Sequence, residues 1–368
     1  MQSVKINKNL VLACLLIIIM YLFLYSALGQ PVFSSNVYDS YTLQAVSWWQ
    51  GKASLDQDYS WLELAYYNDK IYVSFPPFPS VPMFLLVPFF GQNTPSNIIT
   101  TIYALVSFII VFKYCKRKCI TDAESLFWAA FVVLACNILS ISPFGGVWYQ
   151  AQVLSFMLSL LSIYLITSDK ESHWYLALAI WAFAVGCRPF QIIYLPVYLT
   201  ILYIRVKKSG KSPVALLKYL AAPACIGLLY AVYNYIRFDS FFEFGHNYLP
   251  EFVEAEYGQF NWRYIKQNLP NLFRLPFFEN GRLTFPMFDG FAFYIANPIF
   301  ITYAVRLVKS LRNKASFSKD ILIRLILIFL LLIVHVVLFL SHKTLGGWQF
   351  GIRYFVDMIP FLFLSVSY

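Results

Sequence analysis

The chain has 368 residues, of which 60% are hydrophobic, 20% aromatic and only 12% charged, with a formal net charge of +10 and a mean hydropathy of +0.62. This composition excludes a water-soluble globular domain, and runs of about 18 or more apolar residues recur along the chain, which makes it a multi-pass membrane protein. The positive charge follows from membrane insertion and does not point to nucleic acid.

The first apolar stretch, 10–28, follows Lys5 and Lys8 and ends near the small residues Ser26, Ala27 and Gly29. Its core is longer than the about 7 to 15 residues of a signal peptide, so it reads as an uncleaved first span. Further spans are predicted over 97–112, 125–141, 153–167, 174–187, 190–204, 214–236, 291–305, 321–340 and 355–368, the last ending the chain at Tyr368 inside an apolar stretch. Between 174–187 and 190–204 stands Arg188-Pro189. Proline bars helix continuation and holds the preceding residue out of the helical region, so a tight outward corner is expected there.

The expected fold is therefore all-α: one integral membrane domain over 1–368, a bundle of about ten transmembrane helices. Three outer loops, 29–95, 237–290 and 341–354, are expected to carry short interfacial helices, and no appended outer domain is expected. With the N-terminus inside, the inner segments hold Lys5 and Lys8, Lys113 to Lys118, Lys170, Arg205 to Lys211, and Arg306 to Arg324, which together carry most of the 28 basic residues. Most acids fall outside. This lysine and arginine bias sets the orientation. The segment 75–90, broken by Pro76, Pro77 and Pro79, is apolar but too short to span comfortably. Counting it as a span would invert the charge bias, so it is placed along the outer surface, where aromatic rings settle at headgroup depth.

The six cysteines form no outer pair, and the Cys115 to Cys119 spacing lacks histidine partners. No His-x-x-His, phosphate-cradling glycine loop or nucleotide fingerprint occurs. Energy for any chemistry must arrive with the substrate.

An ordered set of motifs carries a resemblance. Asp39 is followed by Tyr41-Thr42-Leu43-Gln44-Ala45, Trp48-Trp49-Gln50-Gly51, the acids Asp56 and Asp58, Asn68-Asp69-Lys70, and Phe75-Pro76-Pro77-Phe78-Pro79. Later come Gly186-Cys187-Arg188-Pro189, Tyr233 to Phe238 with Phe241 to Gly245, and Gly346-Gly347-Trp348-Gln349-Phe350-Gly351-Ile352-Arg353-Tyr354. This order resembles bacterial polytopic glycosyltransferases of the GT-C superfamily and covers nearly the whole chain. The resemblance implies transfer of a sugar from a polyprenyl-phosphate donor. Many relatives carry a second acid beside the first-loop aspartate, where this chain has Ser40. A metal held by such a pair is therefore not expected, although a divalent ion is neither required nor ruled out by these residues.

The chemistry asks for a group to take the acceptor hydroxyl's proton and for cations to steady the departing phosphate. Asp39 is the candidate base, against a second reading as the N-cap of the following helix. Arg188, Arg353, Lys343 and Lys70 are the candidate phosphate ligands. Arg188 stands out because an arginine between two apolar spans is costly unless paired or bound to an anion. Lys70 is balanced by a headgroup-facing role, and Asn68-Asp69 reads as a turn. Asp56, Asp58, Trp348, Glu243 and His246 are candidates for acceptor or sugar binding. Trp348 offers a stacking face and His246 either an acid or base or a structural hydrogen bond. Expected partners are a polyprenyl-phosphate-linked sugar, an unidentified glycan, lipid or protein acceptor, and membrane lipids. Two other classes compete: a transporter or flippase of lipid-linked saccharides, and a non-catalytic partner in cell-envelope assembly. Lys218 and His335 are the ionisable residues expected near span interiors or ends.

Overall fold

The computed structural model describes residues 7–313 and 318–367; Lys5, Lys314 and Tyr368 of the predicted inner segments and last span lie outside these. Helix α1 (Lys8–Ala27) begins where the Asn7 side chain accepts the Leu10 amide, and α2 (Ser40–Trp49) begins at Asp39. A hairpin follows, β1 (Leu64–Tyr67) antiparallel to β2 (Lys70–Val73), with Leu64 opposite Val73 and Tyr67 opposite Lys70. Its two turn residues, Asn68 and Asp69, both take positive φ, 49° and 57°, the conformation that a two-residue hairpin turn demands and that Asn and Asp tolerate. Helix α3 (Ser80–Phe90) is the apolar segment predicted along the membrane surface.

The bundle continues with α4 (Ser96–Arg117), α5 (Asp122–Val133), α6 (Asn137–Ile141), α7 (Val147–Ile166), α8 (Glu171–Val185), α9 (Leu195–Lys208) and α10 (Leu216–Phe238). Two short helices, α11 (Pro250–Val253) and α12 (Tyr264–Asn268), and the hairpin β3 (Phe277–Glu279)–β4 (Arg282–Thr284) make up the second outer loop. Helices α13 (Phe293–Ala296), α14 (Ile299–Arg312), α15 (Lys319–Leu340) and α16 (Ile359–Val366) complete the chain. The fold is thus helical throughout apart from two small hairpins, which the all-α expectation did not include.

Six helical stretches among the described residues are long and apolar enough to cross a membrane: Lys8–Ala27, Ser96–Arg117, Val147–Ile166, Pro189–Lys208, Pro213–Phe238 and Lys319–Leu340. The other predicted spans correspond to shorter helices. The span predicted over 125–141 is interrupted: Cys136 is extended and the Asn137 amide donates to Asn297 Oδ1 at 3.0 Å, so a bond between helices replaces one within a helix. Helix α7 is the axis of the bundle, with 78% of its apolar window buried, whereas the corresponding values for α1, α10 and α15 are 17%, 11% and 22%. Those three helices turn apolar surface such as Phe23, Leu229 and Leu330 outward. An apolar exterior of this kind is stable only against lipid.

Ion pairs gather the predicted inner segments at one end of the bundle. Lys116 meets Asp122 at 2.7 Å, Asn7 Nδ2 donates to Asp122 at 2.8 Å, Arg205 meets Asp169 at 3.1 Å, and Lys211 and Lys218 meet Glu171 at 2.5 and 2.6 Å. Lys218 therefore lies at a helix end with a carboxylate partner, one of the two placements expected for it. His335 is fully buried in α15, its Nδ1 3.0 Å from the Tyr194 hydroxyl. At the opposite end, Gly145 lets the chain entering α7 meet the start of α4. Its amide donates to Asn97 Oδ1 at 2.8 Å, and a Cβ there would stand 2.3 Å from the Ser96 carbonyl carbon.

Gly145→Ala is expected to lower the melting temperature in detergent, since forcing a methyl against backbone costs about 1–3 kcal/mol. Gly227→Ala, where a Cβ meets nothing within 4 Å, should leave it unchanged or raise it, a helical Ala being about 1 kcal/mol better than Gly.

Candidate active site

A cavity of about 930 Å³ is bounded by the first-loop hairpin, the start of α7, the Arg188 corner and the segments predicted as the second and third outer loops. Pro189 starts a 3₁₀ turn over Pro189–Tyr194, and Arg188 before it is extended, with φ −138° and ψ 98°. This is the corner the Arg-Pro pair dictates. Arg188 Nε donates to Asp357 Oδ2 at 3.0 Å, and Asp357 is wholly buried in a 3₁₀ turn over Arg353–Met358. The partner acid thus comes from the last predicted span and not from an outer loop. Among the described residues the one side-chain hydrogen bond of Arg188 is this one from Nε, which leaves its two terminal nitrogens without a partner.

Arg353 is 5% exposed. Its backbone is pinned by Gln349 Oε1 at 2.9 Å and Gln152 Nε2 at 3.0 Å, while its Nη2 makes one long contact, 3.4 Å, to the Gly346 carbonyl. Nε and Nη1 have no partner among the described residues. A buried guanidinium with unmet donors is costly and suits an anion. The loop is shaped to leave it so: Gly346 has φ +100°, and a Cβ there would meet Arg353 Nε at 2.9 Å. Both guanidiniums lie over the Tyr354 ring, 5.2 Å from its centroid for Arg188 and 5.3 Å for Arg353.

The cavity brings together most of the predicted site residues: Arg188, Arg353, Lys343, Trp348, Glu243 and His246 all line it. Lys343 Nζ donates to the Glu251 carbonyl. Trp348 is 72% exposed at the rim, edge-on to Phe288 at 5.8 Å. Glu243 is occupied by its own loop, accepting from the Gly245 amide at 2.6 Å and Asn247 Nδ2 at 2.5 Å. His246 stands edge-on to Phe75 at 4.9 Å, and burial with nearby His342 and Arg188 pushes its pKa down to about 4.

Four predicted residues do not line the cavity. Asp39 caps α2: its carboxylate accepts the Thr42 amide at 3.0 Å and the Thr42 hydroxyl at 2.6 Å, and it is 5% exposed, behind Tyr38 and Tyr41, which do line the cavity. Burial raises its pKa to about 6 against the pull of those bonds and of Ser96. Asp56 is exposed and pairs with Lys52 at 2.6 Å. Asp58 is exposed on the loop surface. Lys70 leaves at the hairpin tip, where Tyr67 and Asn68 donate to Asp239 at 3.1 and 3.4 Å and hold the tip away from the cavity.

The base of the same hairpin instead supplies Glu63, which sequence reasoning missed. Ser74 Oγ donates to the Glu63 carbonyl at 2.8 Å, and Trp148 Nε1 donates to Glu63 Oε2 at 3.1 Å. Burial raises the Glu63 pKa, opposed by the Trp148 bond and the Arg353 charge. His342 was also missed as a site residue. Its Nδ1 lies 2.8 Å from the Thr344 carbonyl and its Nε2 3.2 Å from Gln259 Nε2, so the proton belongs on Nδ1. Burial lowers its pKa to about 4. Both histidines are thus neutral near pH 7, and the fixed cations of the cavity are Arg188, Lys343 and Arg353. Among the described residues no group of three or more His, Cys, Asp or Glu forms a metal-binding set.

The sequence matches no protein-family model and no curated protein. Solved structures do share the fold. ArnT from Cupriavidus metallidurans bound to undecaprenyl phosphate is similar over 97% of this chain and 59% of that one, with TM-score 0.54 and 15% identity. The Archaeoglobus fulgidus oligosaccharyltransferase in its apo form is similar over 98% of this chain and 50% of that one, with TM-score 0.53 and 13% identity. The chain thus spans between half and three-fifths of the length of these structures. The chain therefore shares its fold with these two membrane transferase structures.

The cap geometry gives a prediction for Asp39. Asn caps as well as Asp, so at low pH, where Asp39 is protonated, Asp39→Asn should keep the melting temperature, whereas Asp39→Ala should lower it by an amount corresponding to about 1 kcal/mol. The folded protein holds the Asp39 proton more tightly than the unfolded chain, so this group's contribution to stability falls as pH rises from about 4 through about 6. Melting curves of Asp39→Asn should lack that part of the pH dependence.

Proposed function

We propose that the protein is a glycosyltransferase that moves a sugar from a polyprenyl-phosphate donor to an acceptor hydroxyl on the extracytoplasmic face of the membrane. The observation that carries this reading is Arg353, nearly fully buried on the cavity wall with Nε and Nη1 unpartnered. Arg188, whose guanidinium also meets the Tyr354 ring, is a second arginine lining the same cavity, and guanidiniums suit phosphate.

In the reaction the acceptor oxygen attacks the anomeric carbon while the bond from that carbon to the phosphate oxygen breaks. The departing polyprenyl phosphate gains negative charge, which the two guanidiniums and Lys343 meet. A single displacement of this kind inverts the anomeric centre. Asp357 holds Arg188 by Nε alone, which orients the terminal nitrogens without using them. Trp348 and Phe288 at the rim supply faces on which a sugar ring stacks. The fold shared with a structure bound to undecaprenyl phosphate supports the same donor class.

Arg353→Ala should weaken binding of synthetic polyprenyl phosphate to the protein in nanodiscs about 10- to 100-fold, the loss expected for charge-assisted hydrogen bonds of about 1.5–3 kcal/mol. An unchanged Kd would remove Arg353 as a phosphate ligand. Sidedness is checked by Ser54→Cys and Ser209→Cys, each in a background with the exposed Cys119 and Cys225 replaced by Ser. A membrane-impermeant maleimide added to intact cells should label the first and not the second; the reverse would place the cavity on the cytoplasmic side.

A further inference from the structure

The transfer requires a group that takes the acceptor proton, and four carboxylates line the cavity: Glu63, Glu243, Glu251 and Asp289. Geometry separates them. Both oxygens of Glu243 are held by its own loop. The Asp289 amide donates to the Gly347 carbonyl at 2.9 Å, and the Gly347 and Leu345 amides favour its charged carboxylate, so Asp289 belongs to the glycine loop that frames Arg353. Glu251 is exposed, and it is its backbone carbonyl that meets Lys343. Glu63 differs from all three. It is half-buried, one oxygen is fixed by Trp148 Nε1 at 3.1 Å, and among the described residues Oε1 has no hydrogen-bond partner.

The position is built from several directions. The pairing of Leu64 with Val73 closes the hairpin beside Glu63, and Ser74 ties its carbonyl at 2.8 Å. The Val147 amide donates to the Tyr38 carbonyl at 2.9 Å and sets Trp148 against the Tyr38 ring, centroids 5.4 Å apart. The indole that orients Glu63 is therefore itself held by the segment leading into α2. Asp39, the acid expected from sequence to do this work, has its carboxylate in the cap of that helix and does not line the cavity.

We propose that Glu63 is the catalytic base of this site, taking the proton of the acceptor hydroxyl on Oε1 as the hydroxyl oxygen attacks the donor's anomeric carbon. The inference rests on the transferase reading given above. The acceptor's O–H bond breaks and its proton goes to Glu63; a new bond forms from that oxygen to the anomeric carbon. The bond from the anomeric carbon to the phosphate oxygen breaks with its electron pair going to the phosphate, which stays between Arg188 and Arg353. The Glu63 proton then leaves to solvent through the cavity mouth. Burial raises the Glu63 pKa and so strengthens the carboxylate as a base, opposed by the Trp148 hydrogen bond and the Arg353 charge.

The test uses the full chain in nanodiscs with two probes: synthetic polyprenyl phosphate for binding, and a panel of synthetic polyprenyl-phosphate-linked hexoses and pentoses for release of polyprenyl phosphate, with water as acceptor. Glu63→Gln keeps an acceptor for Trp148 and removes the base. It should bind polyprenyl phosphate as the unmodified protein does, release it about 100-fold more slowly or worse, and lose the acidic limb of the pH–rate profile. Glu63→Asp should retain that limb at a reduced rate, which a purely structural role for Glu63 would not produce. Asp39→Asn, which preserves the cap, should turn over normally.

Glu63→Gln turning over at the unmodified rate, or Asp39→Asn abolishing release while Glu63→Gln does not, overturns the inference and leaves the transferase reading standing. If Glu63→Gln loses polyprenyl phosphate binding altogether, Glu63→Asp decides: an unmodified rate and profile sink the inference. Failure of the unmodified protein to bind polyprenyl phosphate more tightly than phosphatidic acid, or to release it from any member of the panel, overturns the transferase reading itself.

Discussion

The cavity end of this bundle is organised by one buried ion pair, Arg188 with Asp357, at 3.0 Å. Asp357 is wholly buried and its second oxygen has no hydrogen-bond partner, so Arg188 is its principal compensation. Removing either member of such a pair strands a charge and costs about 3–5 kcal/mol. The pair also joins distant parts of the chain: the corner between α8 and α9 on one side and the turn leading into α16 on the other. Gln191 reinforces the joint by donating to the Asp357 carbonyl at 3.0 Å. With that joint made, Tyr354 is fixed, and around its ring the two guanidiniums of the cavity are placed.

The electrostatic design of the cavity follows from what each charge already holds. Arg188 is half-committed, through Nε; Arg353 is scarcely committed at all. His246 and His342 add aromatic surface and hydrogen bonds but no charge near neutral pH, because burial disfavours the imidazolium and the guanidiniums stand nearby. The acids are graded in the same way, from Glu243, saturated by its own loop, to Glu63, with one oxygen free. An anionic substrate headgroup would complete this arrangement, where a neutral one would leave the guanidiniums unmet.

The predicted site divides along a physical line. Arg188, Arg353 and Trp348 were legible because their neighbours constrain the backbone: a proline directly after Arg188, and glycines that allow close approach around Trp348 and Arg353. Asp39 was legible as a helix start, and the bonds from Thr42 put it there; its distance from the cavity was not. Lys70 and Glu63 illustrate the same difficulty from opposite ends of one hairpin. The Asn68-Asp69 turn could be read, but which end of the hairpin meets the cavity depends on Asp239 at the end of α10, far along the chain. Glu63 carried no motif. The one available signal was its place just before a strand closed by a recognisable turn, and its partner Trp148 lies in another helix.

The sequence by itself determined that the protein lives in a membrane, where its helices fall and which charged segments share an end, because these follow from local hydropathy and from the cost of moving lysine and arginine across lipid. Tertiary structure alone decided which loop side chains face one another. That outcome rests on hydrogen bonds and ring contacts between residues more than a hundred positions apart, such as Arg188 with Asp357 and Tyr149 with Trp348. No local pattern encodes these contacts, because their energies exist only after the helices have packed.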